Sequence, residues 1–185
     1  GKGYTTYFEY NQWGQVLTEE RPNGDIFQHD YDPVGNPTHT HLPTGAVIER
    51  QYDGLNRLTT ERDPMGNFTC LDYDEVGNLI GVKGRRGFTT TYEYDLLNRP
   101  IRMVDKLGNE TARIYDADGN VVETVDYRGF STEYKYDAHG LLRNVTGPLG
   151  NSTLYGYDAL GRLTGKAEPG NRLTQYGYDA LDRVV

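Results

Sequence analysis

The apolar and polar positions of this chain recur every 21 residues without a slip in register. A tyrosine marks each recurrence: Tyr10, Tyr31, Tyr52, Tyr73, Tyr94, Tyr115, Tyr136, Tyr157 and Tyr178. Six residues after each stands an apolar residue or Pro, namely Val16, Pro37, Leu58, Leu79, Pro100, Val121, Leu142, Leu163 and Val184. An Asp follows the Tyr in every copy but the first: Asp32, Asp53, Asp74, Asp95, Asp116, Asp137, Asp158 and Asp179, with Asn11 in its place at the start. Three residues further on come Gly14, Gly35, Asn56, Gly77, Asn98, Gly119, Gly140, Gly161 and Asp182. Asp opening a turn, with a residue tolerant of positive φ closing it, predicts a type I turn followed by a G1 bulge. Such a hairpin sets each Tyr opposite the apolar residue six positions on, and an aromatic–aliphatic cross-strand pair contributes about 0.2–1 kcal/mol. That Tyr face is expected to be the buried one.

A second turn closes each repeat, at Pro22-Asn23-Gly24, Pro43-Thr44-Gly45, Pro64-Met65-Gly66, Lys106-Leu107-Gly108, Pro148-Leu149-Gly150 and, with its Gly displaced by one, Pro169-Gly170-Asn171. Strands of about six residues fit between the two turns. Each repeat is then a pair of antiparallel strands, and the fold class is all-β: a repetitive antiparallel β-hairpin meander of about eighteen strands. The odd period adds a constraint, because side chains alternate with period two and every Tyr must return to the same face. Either the two turns differ in offset or each repeat carries one extra bulge, and bulges bend a sheet. So many strands do not stay flat, which predicts a strongly curved or spiralling sheet.

Upstream of the Tyr lie a Thr column (Thr6, Thr69, Thr90, Thr111, Thr132, Thr153, Thr174) and an aromatic-rich one (Phe8, Tyr92, Tyr134, Tyr155, Tyr176), both on the Tyr face. A face so rich in hydroxyls either lines a wet cavity or pairs its hydroxyls with neighbouring strands.

Composition narrows the function classes. The net charge of -8 argues against a nucleic-acid partner, and no apolar run is long enough for a membrane-spanning helix. Cys70 is the single cysteine, which excludes a disulfide framework within the chain. The opening Gly1-Lys2-Gly3 has no signal-peptide pattern, and the chain reads as a fragment truncated in mid-repeat at both ends, a single array of about nine repeats over residues 1–185.

Tyr-Asp-x-x-Gly-(Asn/Arg)-Leu followed by a Pro-x-Gly-Asn turn, with the next Tyr at 21 residues, resembles the YD or RHS repeat. Such repeats occur in bacterial Rhs polymorphic toxins, in the C component of insecticidal toxin complexes and in the extracellular part of teneurins. Copies such as Tyr157-Asp-Ala-Leu-Gly-Arg-Leu-Thr164 are more similar to the bacterial repeats. The resemblance implies a segment of a long spiralling β-shell that, in bacterial members, encloses a C-terminal toxic domain. It also implies a secreted or cell-surface bacterial protein whose partners are the rest of its own shell and the enclosed domain. Departures are scattered: Asn11 for Asp, Leu141 for the Asn or Arg, and Arg85-Arg86-Gly87 without the Pro.

Candidate chemistry is sparse. Asp32-Pro33-Val34-Gly35 and Asp63-Pro64-Met65-Gly66 match the first residues of the family's self-cleavage motif, but both fall on ordinary repeat turns. Thr38-His39-Thr40-His41 puts two imidazoles on one strand face at metal-ligand spacing, with no third ligand of comparable logic nearby. Asp116-Ala117-Asp118-Gly119-Asn120 has part of a calcium loop without its closing Glu. Ser131 and Ser152, the only serines, occupy a repeat strand column. No catalytic, cofactor or metal residue is therefore expected, and the site residues are the structural Tyr, Asp and Gly positions of the repeat. Two functions compete. One is a structural wall segment of a toxin-encapsulating shell. The other is an extracellular binding module whose tyrosine-rich sheet engages glycans or a cell-surface protein. Open sheet edges predict self-association in either case.

Overall fold

The computed structural model of the chain describes residues 5–185. The Gly1-Lys2-Gly3 opening lies outside the described residues. The chain falls into two compact units, with the boundary between Thr91 and Tyr92. In the first unit lie β1 (Tyr7–Tyr10), β2 (Val16–Glu20), β3 (Ile26–Tyr31), β4 (Pro37–His41), β5 (Val47–Tyr52), β6 (Leu58–Arg62), β7 (Phe68–Tyr73) and β8 (Leu79–Lys83). β9 (Thr89–Tyr94) runs through the boundary. The second unit continues with β10 (Pro100–Val104), β11 (Glu110–Tyr115), β12 (Val121–Val125), β13 (Ser131–Tyr136), β14 (Leu142–Thr146), β15 (Ser152–Tyr157), β16 (Leu163–Glu168) and β17 (Arg172–Gln175). The eighteenth strand expected from the repeat count is reduced to one antiparallel bridge, Tyr178 to Val184.

Within each unit every strand pairs antiparallel with its sequence neighbours, as β2 does with β1 and β3. All seventeen strands among the described residues belong to one antiparallel sheet. Both turns of a repeat use one backbone design. In the first, the Asp32 amide donates to the Asn36 carbonyl at 2.9 Å and the Gly35 amide to the Asp32 carbonyl at 3.1 Å. In the second, the Arg21 amide donates to Asp25 and the Gly24 amide to Arg21 in the same way. The closing residues of the first turn all have positive φ, from 59° at Asp182 to 101° at Gly77.

Since the two turns do not differ in offset, the odd period is absorbed by a bulge. Tyr31 faces Pro37, but Asp30 faces His39, which leaves Thr38 as an extra residue on β4. The same shift recurs at Leu17, Thr59, Ile80, Val122, Arg143 and Thr164. Thr38 and Thr59 donate their hydroxyls to the carbonyls of Asp30 and Gln51, at 3.3 and 3.2 Å. One residue gained per repeat restores the parity, so each Tyr returns to the same face.

The expectation that the Tyr face is buried does not hold. No hydrophobic side chain among the described residues is buried, and Thr40 is the one buried polar residue, at 9% exposure. Within each unit the strands pair side by side in one layer, and the Tyr rings from Tyr31 onwards are half-buried against neighbouring strands. Hairpin pairing and contacts between successive repeats, rather than a core, hold the array together.

Candidate functional site

The strongest constellation of side chains is the seam along the first-turn edge, where each repeat is fastened to the next. The Tyr31 hydroxyl donates to the Val16 carbonyl at 2.8 Å, fifteen residues back. The pairing of β2 with β3 stops at Thr18 opposite Gln28, so the hydroxyl takes the place of a ladder bond further along. The same bond joins Tyr52 to Pro37, Tyr73 to Leu58, Tyr115 to Pro100, Tyr136 to Val121, Tyr157 to Leu142 and Tyr178 to Leu163, at 2.8–3.1 Å. This explains why the column is Tyr and not Phe: the ring packs beside the hairpin while its hydroxyl satisfies a main-chain acceptor of the previous repeat. Desolvation pushes the Tyr52 and Tyr136 phenols up from their ordinary value.

The turn Asp prepares the second fastening. Asp53 Oδ1 accepts from the amides of Leu55 and Arg57, each at 2.9 Å, and Oδ2 accepts from Arg57 Nε at 2.7 Å. Held this way, Arg57 sends Nη1 to the Asp74 carbonyl in the next repeat at 3.2 Å and lays its guanidinium 4.6 Å from the Tyr73 ring. Arg99 repeats the arrangement with Asp95, Asp116 and Tyr115. Arg162 does so with Asp158, the Tyr178 ring and the Asp182 carboxylate. Shorter residues at this position reach less far: Asn36 contacts Asn56 Oδ1 at 3.0 Å and Gln15 the Gly35 carbonyl at 3.0 Å.

Two of the scattered departures are compensated locally. Asn11 accepts from the Trp13 and Gln15 amides as an Asp would. Where Leu141 replaces the Arg, the bulge residue Arg143 reaches Asp137 at 2.8 Å and places its guanidinium 5.2 Å from the Tyr157 ring. In the third, Arg86 takes φ 71° ahead of Gly87 at 78°, a left-handed pair that Gly170 and Asn171 form at the equivalent turn.

The turn carboxylates are held below the ordinary 3.8. For Asp53, Asp95 and Asp158 the largest cause is the amide of the Arg four residues on; desolvation opposes it, and the guanidinium adds to it. For Asp32 and Asp74 desolvation is the largest single influence and raises the value, but hydrogen bonds from Asn36 or Asn78 and the turn amides together outweigh it. The sequence pattern did not single out Asp105 and Asp126, and noted Asp63 only for its Asp-Pro pair; all three open second turns with the same carboxylate-to-amide bonds. Asp three residues before Gly was the signal that could have found them.

The remaining candidates sit in ordinary repeat positions. Asp32 and Asp63 of the Asp-Pro pairs open regular turns. The Asp116 carboxylate is occupied by the Asp118 and Asn120 amides and the Asn120 side chain. Ser131 donates to Glu123 at 2.5 Å and Ser152 shares a hydrogen with Thr146 at 2.9 Å. Among the described residues no group of three or more His, Cys, Asp or Glu side chains could hold a metal ion, and no helix is long and apolar enough to cross a membrane. One further pattern lies at the tips of the first turns. Val34, Leu55 and Val76 in the first unit and Leu97, Leu160 and Leu181 in the second are each about 70% exposed, from 69% to 75%.

This is a repeat protein whose recurring side chains fasten β-hairpins to one another in series. The chain belongs to the teneurin YD-shell family, whose family model matches residues 46–185. Membership in a shell family gives the array a structural role. No match is found among curated proteins. Among solved structures, TcdB2-TccC3 aligns over 98% of this chain at 16% identity with a TM-score of 0.67. TcdB2-TccC3-TEV aligns over 97% at 17% identity and 0.64. The Tc holotoxin pore of Photorhabdus luminescens aligns over 98% at 16% identity and 0.66. At such identities the likeness is one of fold. The chain spans 12–14% of the length of those three chains.

Proposed function

We propose that this array is a wall segment of an Rhs-type shell that encloses and helps deliver a C-terminal toxin domain, with no chemistry of its own. The observation that carries the reading is the seam: the recurring spacing of Tyr, Asp and Arg is spent on joining each repeat to the next. A binding module would instead free its best aromatic residues for a ligand. One extra residue per repeat supplies bend as well as parity, which suits a curved wall built as one array over residues 1–185. The exposed apolar tips offer a surface on which the remainder of the shell packs. A secreted bacterial setting follows from the same reading.

Protease protection of the full-length parent protein tests it. The C-terminal domain is expected to resist digestion until the repeat array is cut or opened. Ready digestion of that domain while the array stays intact overturns encapsulation. The second reading, glycan or cell-surface binding, rests on Tyr92, Tyr134, Tyr155 and Tyr176, which lie on the Tyr face outside the Tyr-to-carbonyl series.

A further inference from the structure

Arg50 and Arg113 stand at one position of the repeat, on the Tyr face two residues before Tyr52 and Tyr115. Their surroundings differ. Arg50 faces Glu61 across β5 and β6, with Nε 2.9 Å from its carboxylate, and Nη1 donates to the Thr40 hydroxyl of β4 at 2.9 Å. At Arg113 both acceptors are replaced. Its cross-strand partner on β12 is Thr124, whose hydroxyl meets the Tyr134 hydroxyl at 3.4 Å. The counterpart of Thr40, three repeats on, is Met103 of β10, and a thioether is a weak acceptor. The Arg113 guanidinium accordingly makes no ion pair, hydrogen bond or ring contact with any described residue, although the chain carries a net charge of -8. It borders a groove of about 360 Å3 that Tyr92, Tyr94, Met103 and Thr111 also line, a volume within the range of small-molecule sites, about 300–1,000 Å3. The second cation of the groove, Arg102, is committed to Glu93 and Glu110 at 2.5 and 2.7 Å. Tyr92 precedes Arg113 by one repeat and Tyr134 follows it by one, so each stands about 10 Å away along the sheet, on either side.

We infer that Arg113 centres a subsite for an acidic saccharide of the hexuronic-acid type, with Tyr92 beside it. A guanidinium without a partner takes one planar carboxylate in bidentate fashion. A single such cation on an acidic chain does not suit a polyanion, whose remaining charges are repelled. The rest of the surface suits a pyranose. The half-buried Tyr92 and Tyr134 rings present apolar faces to its C–H groups, and tyrosine and threonine hydroxyls offer donors and acceptors to its own hydroxyls. Tyr92 and Tyr134 lie outside the Tyr-to-carbonyl series, so a ligand takes no bond away from the seam. The inference names the ligand class of the second, glycan-binding reading and rests on that reading; the wall role neither needs it nor conflicts with it.

Ligand-observed NMR titration of the 185-residue chain with methyl glucuronide, methyl glucoside and acetate tests the subsite. The glucuronide is expected to bind, and the other two to bind at least ~10-fold more weakly. Arg113→Met is expected to weaken glucuronide binding by at least ~10-fold, and Tyr92→Ala by about 3-fold. Thr124→Glu gives Arg113 the carboxylate that Glu61 gives Arg50, and is expected to weaken binding as much as Arg113→Met while the arginine stays in place. Arg50→Met and Lys135→Gln remove cations outside the groove and are expected to leave binding unchanged. Circular dichroism verifies that each variant keeps its sheet. Glucoside binding equal to that of the glucuronide overturns the acidic class and leaves glycan binding standing. Equal binding of acetate, no binding of the glucuronide, or binding undiminished by Arg113→Met and Thr124→Glu overturns the subsite itself.

Discussion

The two edges of the sheet have the same backbone turn and different wiring. At the second-turn edge, Asp63, Asp105 and Asp126 bond back into their own loops, and Arg128 closes on Asp126 and on the flanking Tyr127 and Phe130 rings. At the first-turn edge, the Asp is equally satisfied by its own loop, but the Arg beside it reaches into the following repeat and the Tyr before it reaches into the preceding one. Turn chemistry therefore makes a hairpin, and the Tyr and Arg make an array. The second-turn edge shows what the motif looks like when only the first of these tasks is set.

Acid is expected to have the largest effect, because it acts on both edges together. The turn carboxylates have folded pKa values depressed below 3.8. Their contribution is fully present above the unfolded value and is lost as pH falls through the folded values. Urea midpoints are therefore expected to be flat at neutral pH and to fall from about pH 5 downwards. Asp53→Asn and Asp63→Asn are both expected to lessen that acid dependence, one on each edge; a flat profile in the unaltered chain removes the carboxylates from the account.

Substitution of the Tyr separates the edges. Tyr73→Ala is expected to cost about 2 kcal/mol in denaturant unfolding, less than a fully buried aromatic residue because the ring is half-covered. Tyr73→Phe is expected to cost about 1 kcal/mol, the worth of the bond to the Leu58 carbonyl. Leu107→Ala, at an exposed tip of the second edge, is expected to stay within about 0.5 kcal/mol. Equal costs at Tyr73 and Leu107 erase the distinction.

The smallest expected difference lies between the arginines. Arg57→Ala removes a guanidinium from the face of the Tyr73 ring and is expected to cost about 0.5–1 kcal/mol. Arg128→Ala, whose contacts are all within its own turn, is expected to fall below that range. In a Tyr73→Ala background the Arg57→Ala cost is expected to shrink, since the two share one contact; full additivity by a double-mutant cycle counts against the seam.

The hairpins were legible in the sequence because they depend on residues three to six positions apart, as Asp74 and Gly77 or Tyr73 and Leu79 are. The choice between unequal turns and a bulge was not, since Thr38 and Ile80 have no residue type in common that marks them as the extra residue. The seam was hidden for a different reason. Tyr73 and Leu58 are fifteen positions apart, Arg57 and Asp74 seventeen, and such pairs become neighbours only once the strand register is known. Arg143 standing in for the Arg that Leu141 displaces is legible only from three dimensions. The idea of a buried Tyr face failed because alternation reports which side chains share a face, and not whether anything covers it.

The bulge has an evolutionary consequence. Since every 21-residue unit corrects its own parity, whole units can be duplicated or deleted without turning the downstream tyrosines over. A frame-preserving loss of one residue within a strand has the opposite outcome, inverting every side chain after it. Lineages carrying this array are thus free to lengthen or shorten it by unequal recombination between copies, and selection tolerates changes of length in steps of one repeat.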